Sequence, residues 1–176
     1  MRTFRTLCSG GELFGVGARA ADWQHLDGYE LEAPIAAVAC LNGFDVRVAD
    51  VCQVDYETLA PADHLHASPN CKSASQANTQ AGETDGDRAV AAAICWAIAA
   101  HQGRTFSLEN VWQYRNFVSF ARILSALHAC GFTVDYRHIN SADFGVPQTR
   151  KRLILRAVRG ARVPPLHPTH RKGGDM

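Results

Sequence analysis

Short apolar stretches alternate with helical ones along this chain, and the alternation begins at the N-terminus. Residues 3–8 are typical of a short buried strand, residues 9–12 form a glycine turn, and residues 13–23 carry small residues on one side of an expected helix. Strand, glycine turn and helix in this order let the backbone approach a ligand closely and point a helix N-terminus at it. The same arrangement also occurs as a tight connection that binds nothing. Repetition of strand, turn and helix along the chain predicts a mostly parallel sheet with helices on both faces.

Further strands and helices follow in the same alternation. We expect strands over residues 28–32, 45–50, 64–67, 105–108, 132–139 and 153–158, and helices over residues 34–42, 89–100 and 116–130. With 176 residues, of which 47% are apolar, the chain is long enough for one domain with its own core. We therefore predict a single three-layer α/β domain over residues 1–160, followed by a basic, Pro- and Gly-rich linker over residues 161–176.

A cysteine follows the fourth strand, where a Pro-containing turn ends it. Residues 68–71 read Ser-Pro-Asn-Cys, and a polar stretch without periodicity occupies residues 72–88. A strand that stops at such a turn presents the next side chain at the carboxyl edge of the sheet, where open α/β sheets bind ligands. Cys71 is therefore a candidate nucleophile, although most free cysteines are small apolar packing residues. The polar stretch predicts a mobile lid beside the thiol.

Acidic residues stand at the ends of three strands. Glu30 and Asp50 are placed to accept hydrogen bonds from a nucleotide-like ligand, and Glu32 would point the same way as Glu30. Solvated loop carboxylates are the other interpretation of these residues. Glu109 ends the strand over residues 105–108, opposite the thiol, where a carboxyl group suits the transfer of a proton. It could equally cap a helix.

The cysteine and histidine patterns argue against several other classes of protein. The six cysteines include no Cys-x-x-Cys pair, so neither a zinc site nor a disulfide framework is predicted. His64 and His66 share a face of the fourth strand, but no nearby motif supplies a third metal ligand.

No apolar run is long enough to cross a bilayer and the N-terminus lacks a secretory core, so we expect a cytoplasmic protein with no membrane partner.

The net charge of +1 conceals a basic C-terminal region. Between residues 150 and 172 there are eight Lys or Arg residues and neither Asp nor Glu. Such a region can follow a phosphate backbone, although many charge runs are only solvated surface. Arg150 and Arg152 share one face of the incoming strand, where a guanidinium can give two parallel hydrogen bonds to a base carbonyl or a phosphate.

Four ordered motifs resemble those of the cytosine-C5 DNA methyltransferases. They are the glycine-rich start at residues 8–17, Ser-Pro-Asn-Cys with a Ser four residues later at 68–75, Glu-Asn-Val at 109–111, and Gly-Val-Pro-Gln-Thr-Arg-Lys-Arg at 145–152. In the first motif Cys8 replaces the usual Phe, and Glu12 and Leu13 stand where two glycines are usual. The resemblance implies a Rossmann-like fold of the S-adenosylmethionine-dependent methyltransferases, with a final antiparallel strand.

The resemblance also implies a cofactor, a partner and a set of site residues. S-adenosylmethionine would be bound by Cys8, Ser9, Gly10, Gly11, Glu30, Asp50 and Pro69, and the catalytic residues would be Cys71, Glu109, Arg150 and Arg152. In the family the thiol adds to C6 of a cytosine flipped out of duplex DNA, the Glu and the second Arg hold the base, and the first Arg supports the catalytic loop. The family's target-recognition region has no counterpart in these residues. Two alternatives therefore stay open, namely an incomplete cofactor- or DNA-binding half that needs a second chain, and a methyltransferase that acts on RNA.

Overall fold

A computed structural model describes residues 1–71, 73–74 and 82–170 of the chain. Seven strands and four α-helices occur along these residues: β1 (Arg2–Leu7), α1 (Leu13–Ala20), β2 (Trp23–Glu30), α2 (Ala33–Leu41), β3 (Val46–Val48), β4 (His64–Ala67), α3 (Asp85–Ala100), β5 (Thr105–Asn110), α4 (Val118–Ala129), β6 (Phe132–Asn140) and β7 (Lys151–Arg159). Short 3₁₀ helices lie at Val51–Gln53, Trp112–Asn116 and Ser141–Phe144. None of the helices in the described ranges has the length and apolar character needed to cross a membrane.

The seven strands of the described chain form one sheet in the order β3-β2-β1-β4-β5-β7-β6. β1 to β5 are parallel, whereas β7 is antiparallel to both of its neighbours. The predictions of a mostly parallel sheet and of a final antiparallel strand are confirmed. The strand order reverses between β1 and β4, and open α/β sheets bind their ligands at the carboxyl ends of the strands at such a point.

The two faces of the sheet are covered by different helices. α3 and α4 pack over the larger hydrophobic cluster, in which Leu65, Phe106 and Leu108 are buried. α1 and α2 lie over a smaller cluster around Phe4 and Phe44 on the other face. Full burial of one such side chain stabilises a fold by about 1.5 to 3 kcal/mol. The face under α3 and α4 therefore contributes the larger part of the hydrophobic stability.

The boundary between α1 and β2 differs from the one expected. α1 ends at Ala20 rather than at residue 23, because Asp22 takes a left-handed conformation with φ of 61°. Trp23 is already paired with Arg2 of β1, so β2 starts there and not at residue 28. The helical assignment was wrong here because pairing with β1, which no local pattern reveals, overrides the helical propensity of these residues.

The stretch expected to be a polar lid is helical in its last part. Thr84 caps α3, because its hydroxyl accepts a hydrogen bond from the backbone N–H of Asp87 and the Asp87 carboxylate accepts from the backbone N–H of Thr84. α3 therefore starts at Asp85 and not at residue 89. Residues 72 and 75–81 of the expected lid lie outside the described residues.

The segment after β7 runs back across the sheet toward the carboxyl ends of the parallel strands. The Arg156 guanidinium donates to the carbonyl oxygen of Pro164 at 2.9 Å. The backbone N–H groups of Thr169 and His170 both donate to the carbonyl oxygen of Asp143 at 2.9 Å. The expected linker is thus bound to the domain as far as residue 170, and its last six residues, 171–176, lie outside the described part. The domain boundary at residue 160 stays a prediction.

Candidate active site

A cleft of about 950 Å³ opens at the carboxyl ends of the central strands. Nine of the predicted site residues line it: Cys8, Ser9, Gly10, Gly11, Glu30, Asp50, Pro69, Glu109 and Arg150. The other two, Cys71 and Arg152, are not among the lining residues. Cys71 lies in the chain between Asn70 and Ser73, which do line the cleft, and Arg152 pairs with Glu109. The fold therefore brings residues from widely separated motifs to one edge of the sheet.

The glycine turn after β1 contains several left-handed residues. Cys8, Gly10 and Glu12 have φ of 53°, 57° and 62°, a conformation that is costly for residues with a Cβ. The backbone N–H of Gly10 donates to a carboxylate oxygen of Glu30 at 2.8 Å, which fixes the turn on β2. A Cβ at Gly10 would meet no atom within 4 Å. The backbone at Gly10 is therefore open to a ligand.

Glu12 occupies a position where the family has glycine, and its side chain turns away from the cleft. The carboxylate is buried and accepts a hydrogen bond from the Thr6 hydroxyl at 2.8 Å, while Oε1 has no partner in the part of the chain that is described. Gly15 leaves room for it, because a Cβ there would lie 2.7 Å from Cγ of Glu12. Burial raises the pKa of Glu12 to about 7. The substitution therefore changes the interior beneath the turn and leaves the cleft open.

Glu30 and Asp50 hold their carboxylates through backbone contacts at the ends of β2 and β3. Glu30 accepts from the N–H of Gly10 at 2.8 Å and from the N–H of Glu32 at 3.0 Å. Asp50 accepts from the N–H of Cys52 at 2.9 Å. Each carboxylate keeps lone pairs for donors on a ligand, such as ribose hydroxyls or an amino group. Glu32 also lines the cleft but is exposed to solvent.

A carboxylate clamped from two sides lies near the end of β5. Nε of Arg152 pairs with Oε1 of Glu109 at 2.9 Å, and the Ser68 hydroxyl donates to Oε2 at 2.9 Å. Ser68 directly follows β4, which runs parallel to β5, and this register places it beside Glu109. The side chain of Asn110 donates to the carbonyl oxygen of Pro69 at 2.8 Å. The turn that carries the cysteine is therefore fastened to β5.

Cys71 is exposed to solvent on that turn. The backbone N–H of Ala74 donates to the carbonyl oxygen of Cys71 at 3.1 Å, which closes the turn. An exposed side chain contributes nothing to a core, so the interpretation of Cys71 as a packing residue is wrong. Arg150 is exposed as well, and its backbone N–H donates to the side-chain oxygen of Asn140 at 3.0 Å.

His66 and Ser107 also line the cleft, although the sequence motifs do not single them out. His66 is buried, and its Nδ1 lies 2.7 Å from Oγ of Ser107. A signal for both is present in the sequence, because polar residues take every second position in two strands that pair with each other. These residues are His64 and His66 on β4, with Ser68 directly after it, and Thr105, Ser107 and Glu109 on β5.

The fold and the cleft define the class of S-adenosylmethionine-dependent methyltransferases. Solved structures with this fold include the methyltransferase EhMeth of Entamoeba histolytica, with a TM-score of 0.79 and 13% identity over 99% of this chain and 58% of that one. Another is a putative DNA modification methyltransferase encoded in an E. coli prophage, with a TM-score of 0.74 and 16% identity over 90% of this chain and 47% of that one.

Within this class the chain belongs to the C-5 cytosine-specific DNA methylase family, whose model matches residues 3–172. It is similar to the Type II methyltransferase M.AplI of Arthrospira platensis, with 30% identity over 150 residues, which are 84% of this chain and 43% of the relative. It is also similar to M.NaeI of Lentzea aerocolonigenes, with 27% identity over 169 residues, or 90% of this chain and 40% of the relative. The chain thus spans less than half the length of these curated relatives.

The cleft suits S-adenosylmethionine, the cofactor of this family. Glu30 and Asp50 offer carboxylate acceptors at one end, and the open backbone at Gly10 lies between them and Glu109. Ligand pockets for molecules of this size commonly enclose about 300 to 1,000 Å³, and the cleft of about 950 Å³ lies at the upper end of that range. It has room for a cofactor and for part of a second molecule.

Proposed function

We propose that this chain transfers a methyl group from S-adenosylmethionine to C5 of cytosine in DNA, with Cys71 as the nucleophile. One juxtaposition carries the proposal. The Glu109 carboxylate is held between Ser68 and Arg152 near the end of β5, and Cys71 follows the adjacent strand β4. A thiol beside a carboxyl and guanidinium pair offers a nucleophile together with groups that stabilise charge on the ring it attacks. Membership of the family supports the same reaction.

The base must leave the duplex before it can react, because the thiol has to reach the face of the ring, which stacking covers. In the cleft, Glu109 takes up a proton when Arg152 leaves it, donates that proton to N3 and accepts from the exocyclic amine of the base with its other oxygen. Arg152 gives up its contact with Oε1 of Glu109 and donates to O2 of the base. The ion pair between Arg152 and Glu109 therefore holds both groups near the position of the base.

Addition of the Cys71 thiolate to C6 opens the C5–C6 double bond. The electron pair moves into the ring, where Glu109 and Arg152 stabilise the charge that develops at N3 and O2. Bound S-adenosylmethionine supplies an electrophilic methyl group, which the electron-rich C5 accepts. Loss of the C5 proton to a base or to water then restores the double bond and expels the Cys71 thiolate. The products are 5-methylcytosine and S-adenosylhomocysteine.

The other residues of the cleft hold the cofactor in this proposal. Glu30 accepts from the ribose hydroxyls and Asp50 from the adenine amino group, while the turn from Cys8 to Gly11 and Pro69 lie against the methionine part. Cys8 does not compete with Cys71 as a nucleophile, because burial raises the pKa of its thiol to about 12 and keeps it protonated.

A second candidate is one half of a split methyltransferase. In that case the chain binds the cofactor and carries the thiol, and a second chain supplies the region that reads the DNA sequence.

The test is to trap the covalent intermediate. The chain is mixed with S-adenosylmethionine and duplex DNA that contains 5-fluorocytosine, and an adduct that survives denaturation is sought, because fluorine at C5 blocks the final elimination. We expect the wild type and Cys40→Ser, which alters another exposed cysteine, to form the adduct and Cys71→Ser to form none.

The other outcomes separate the alternatives. An adduct that forms only after addition of a chain carrying the target-recognition region identifies a split enzyme. An adduct with 5-fluorocytosine RNA and not with DNA identifies an RNA methyltransferase. Equal adduct from the wild type and Cys71→Ser contradicts the proposal.

A further inference from the structure

A row of polar side chains crosses β4 and β5 on the face that carries α1. His64 is paired with Thr105 and His66 with Ser107 in the register of the two strands. Nδ1 of His64 lies 2.9 Å from Oγ1 of Thr105, and its Nε2 lies 2.9 Å from Oγ of Ser107. Nδ1 of His66 lies 2.7 Å from the same Ser107 oxygen. The four side chains therefore form one continuous hydrogen-bonded chain that ends at the cleft.

The direction of each hydrogen bond in this row follows from its first member. The Thr105 hydroxyl donates its only proton to the carbonyl oxygen of Asp63 at 3.1 Å, so its oxygen must accept from Nδ1–H of His64. A neutral imidazole has one N–H, so Nε2 of His64 is an acceptor and the Ser107 hydroxyl donates to it. The Ser107 oxygen then accepts from Nδ1–H of His66. The backbone carbonyl of Asp63 thus sets the tautomer of His66, which lies three residues further along the chain.

Both imidazoles are neutral at physiological pH. Burial lowers the pKa of His64 and of His66 to about 3. Since Nδ1 of His66 carries the proton, Nε2 has an unshared electron pair, and no hydrogen-bond partner for it occurs in residues 1–71, 73–74 and 82–170. The ring of Phe14 stacks on His66 with centroids 3.8 Å apart and planes 4° apart, which fixes the plane of the imidazole. His66 therefore offers one acceptor, fixed in orientation, at the wall of the cleft.

The position of His66 in the sheet indicates which part of the cofactor its Nε2 can contact. His66 is paired with Thr6 on β1, close to the glycine turn, and with Ser107 on β5, two residues before Glu109. It therefore lies between the end of the cleft that carries Glu30 and Asp50 and the end where the base would react. The methionine part of S-adenosylmethionine is a separate arm of the sulfonium sulfur, and it carries a carboxylate and an ammonium group at its end. The cofactor placement proposed above sets this part against the glycine turn and Pro69, both of which are close to His66. An unprotonated imidazole nitrogen accepts from an ammonium and repels a carboxylate.

We propose that Nε2 of His66 accepts a hydrogen bond from the α-ammonium group of S-adenosylmethionine, and that Thr105, His64 and Ser107 hold it in the tautomer that can do so. His66 is then a cofactor-binding residue, and the three others are positioning residues that act through it. The inference rests on the cofactor placement proposed above, but it concerns cofactor binding alone and is therefore tested separately from the methylation of DNA.

The test compares two nucleosides in calorimetric titrations without nucleic acid. The probes are S-adenosylhomocysteine and its analogue that lacks the α-amino group. A hydrogen bond to a charged group contributes about 1.5 to 3 kcal/mol, so we expect the wild type to prefer the amine at least about tenfold. In His66→Phe, which keeps an aromatic ring against Phe14, this preference falls at least about fivefold.

His25→Phe is the matched control, because His25 is a second histidine with a buried side chain, which lies beneath the glycine turn and does not line the cleft. We expect its preference for the amine to equal that of the wild type. A preference that is the same in His66→Phe as in the wild type overturns the proposal. So does a wild-type chain that binds the two probes equally or binds neither.

A second measurement addresses the row itself and needs no ligand. In ¹⁵N NMR spectra of the imidazoles, we expect a protonated Nδ1 and a bare Nε2 for both His64 and His66. In Thr105→Val, which removes the first hydroxyl and keeps the shape of the side chain, the tautomers become mixed and the preference for the amine falls about twofold to threefold. A protonated Nε2 on His66 in the wild type contradicts the proposal.

Discussion

The two faces of β4 and β5 carry side chains of opposite character. On the face under α3 and α4, Leu65, Phe106 and Leu108 are at most 2% exposed and lie in the larger hydrophobic cluster. On the opposite face the same two strands carry only polar side chains, which are His64, His66, Thr105, Ser107 and Glu109. One pair of strands thus supplies both the core and the wall of the cleft.

The comparison shows how a buried polar face can be tolerated. Each side chain of the polar row satisfies its neighbour, and the row is anchored on a backbone carbonyl at one end and open to the cleft at the other. Burying a polar group without a partner costs about 1 to 3 kcal/mol, and the pairing avoids this cost at every position except the last. The unsatisfied end is the place where a ligand gains affinity.

Truncation on the apolar face is expected to have the largest effect on stability. Leu108→Ala leaves a cavity under α3 and α4, because Leu108 is fully buried there, and should lower the free energy of unfolding by about 2 to 5 kcal/mol. Thr105→Val on the polar face of the same strand removes one hydrogen bond of the row and should lower it by about 0.5 to 1.5 kcal/mol. Urea unfolding at one pH measures both variants. Equal destabilisation by the two would remove the distinction between the faces.

The next largest effect on the free energy of unfolding comes from Glu12, which lies beneath the glycine turn on the same face as the polar row. Its pKa is raised to about 7 by burial, above its value of about 4.5 in an unfolded chain. The stability that this shift contributes is fully present below about pH 4.5 and is lost as the pH rises through about 7.

Glu12→Gln should abolish that decline and be more stable than the wild type at pH 8 by up to about 3 kcal/mol. Glutamine keeps a side-chain oxygen for the Thr6 hydroxyl and carries no charge. Unfolding by urea at pH 5 and at pH 8 makes the comparison. A wild type that is equally stable at both values of pH would show that Glu12 is not protonated in the interior.

The smallest of these effects concerns the clamp on Glu109. Ser68→Ala removes the donor to Oε2 and leaves the Arg152 contact, so the carboxylate can rotate. We expect adduct formation with 5-fluorocytosine DNA to slow about tenfold, with less than about 1 kcal/mol change in stability. Ser68→Thr, which keeps the hydroxyl, should restore the rate. A threonine variant as slow as the alanine variant would show that packing, and not the hydrogen bond, is responsible.

The sequence predicted the elements of the fold better than their ends. Local patterns located the parallel strands because each is a short stretch that contains apolar residues and is closed by Gly, Pro or a polar residue. They failed at Trp23, whose place in β2 depends on pairing with Arg2. A final antiparallel strand was expected only through the resemblance to a family, and the position of β7 between β5 and β6, which depends on pairing across the chain, was not predicted.

The site was predictable where a residue acts through its own chemistry. Glu30, Asp50 and Glu109 end strands, and strand ends meet at one edge of a sheet, so their convergence follows from the fold class. The role of His66 depends on Ser107, which lies 41 residues away along the chain and becomes its neighbour only through the register of β4 and β5. The direction in which Glu12 points depends on a left-handed turn that its residue type does not favour.

The place of β7 in the sheet also constrains the order in which the domain can assemble. Among the described strands, β6 pairs only with β7, which is synthesised after it. One edge of β5 is also paired only with β7 among these strands. The hairpin of β6 and β7 has local contacts and can form early, whereas its docking on β5 closes a loop of more than 40 residues and is slow. Until that docking, β5 presents a row of unpaired backbone groups to other chains. A polypeptide released before residue 151 should therefore aggregate through the edge of β5.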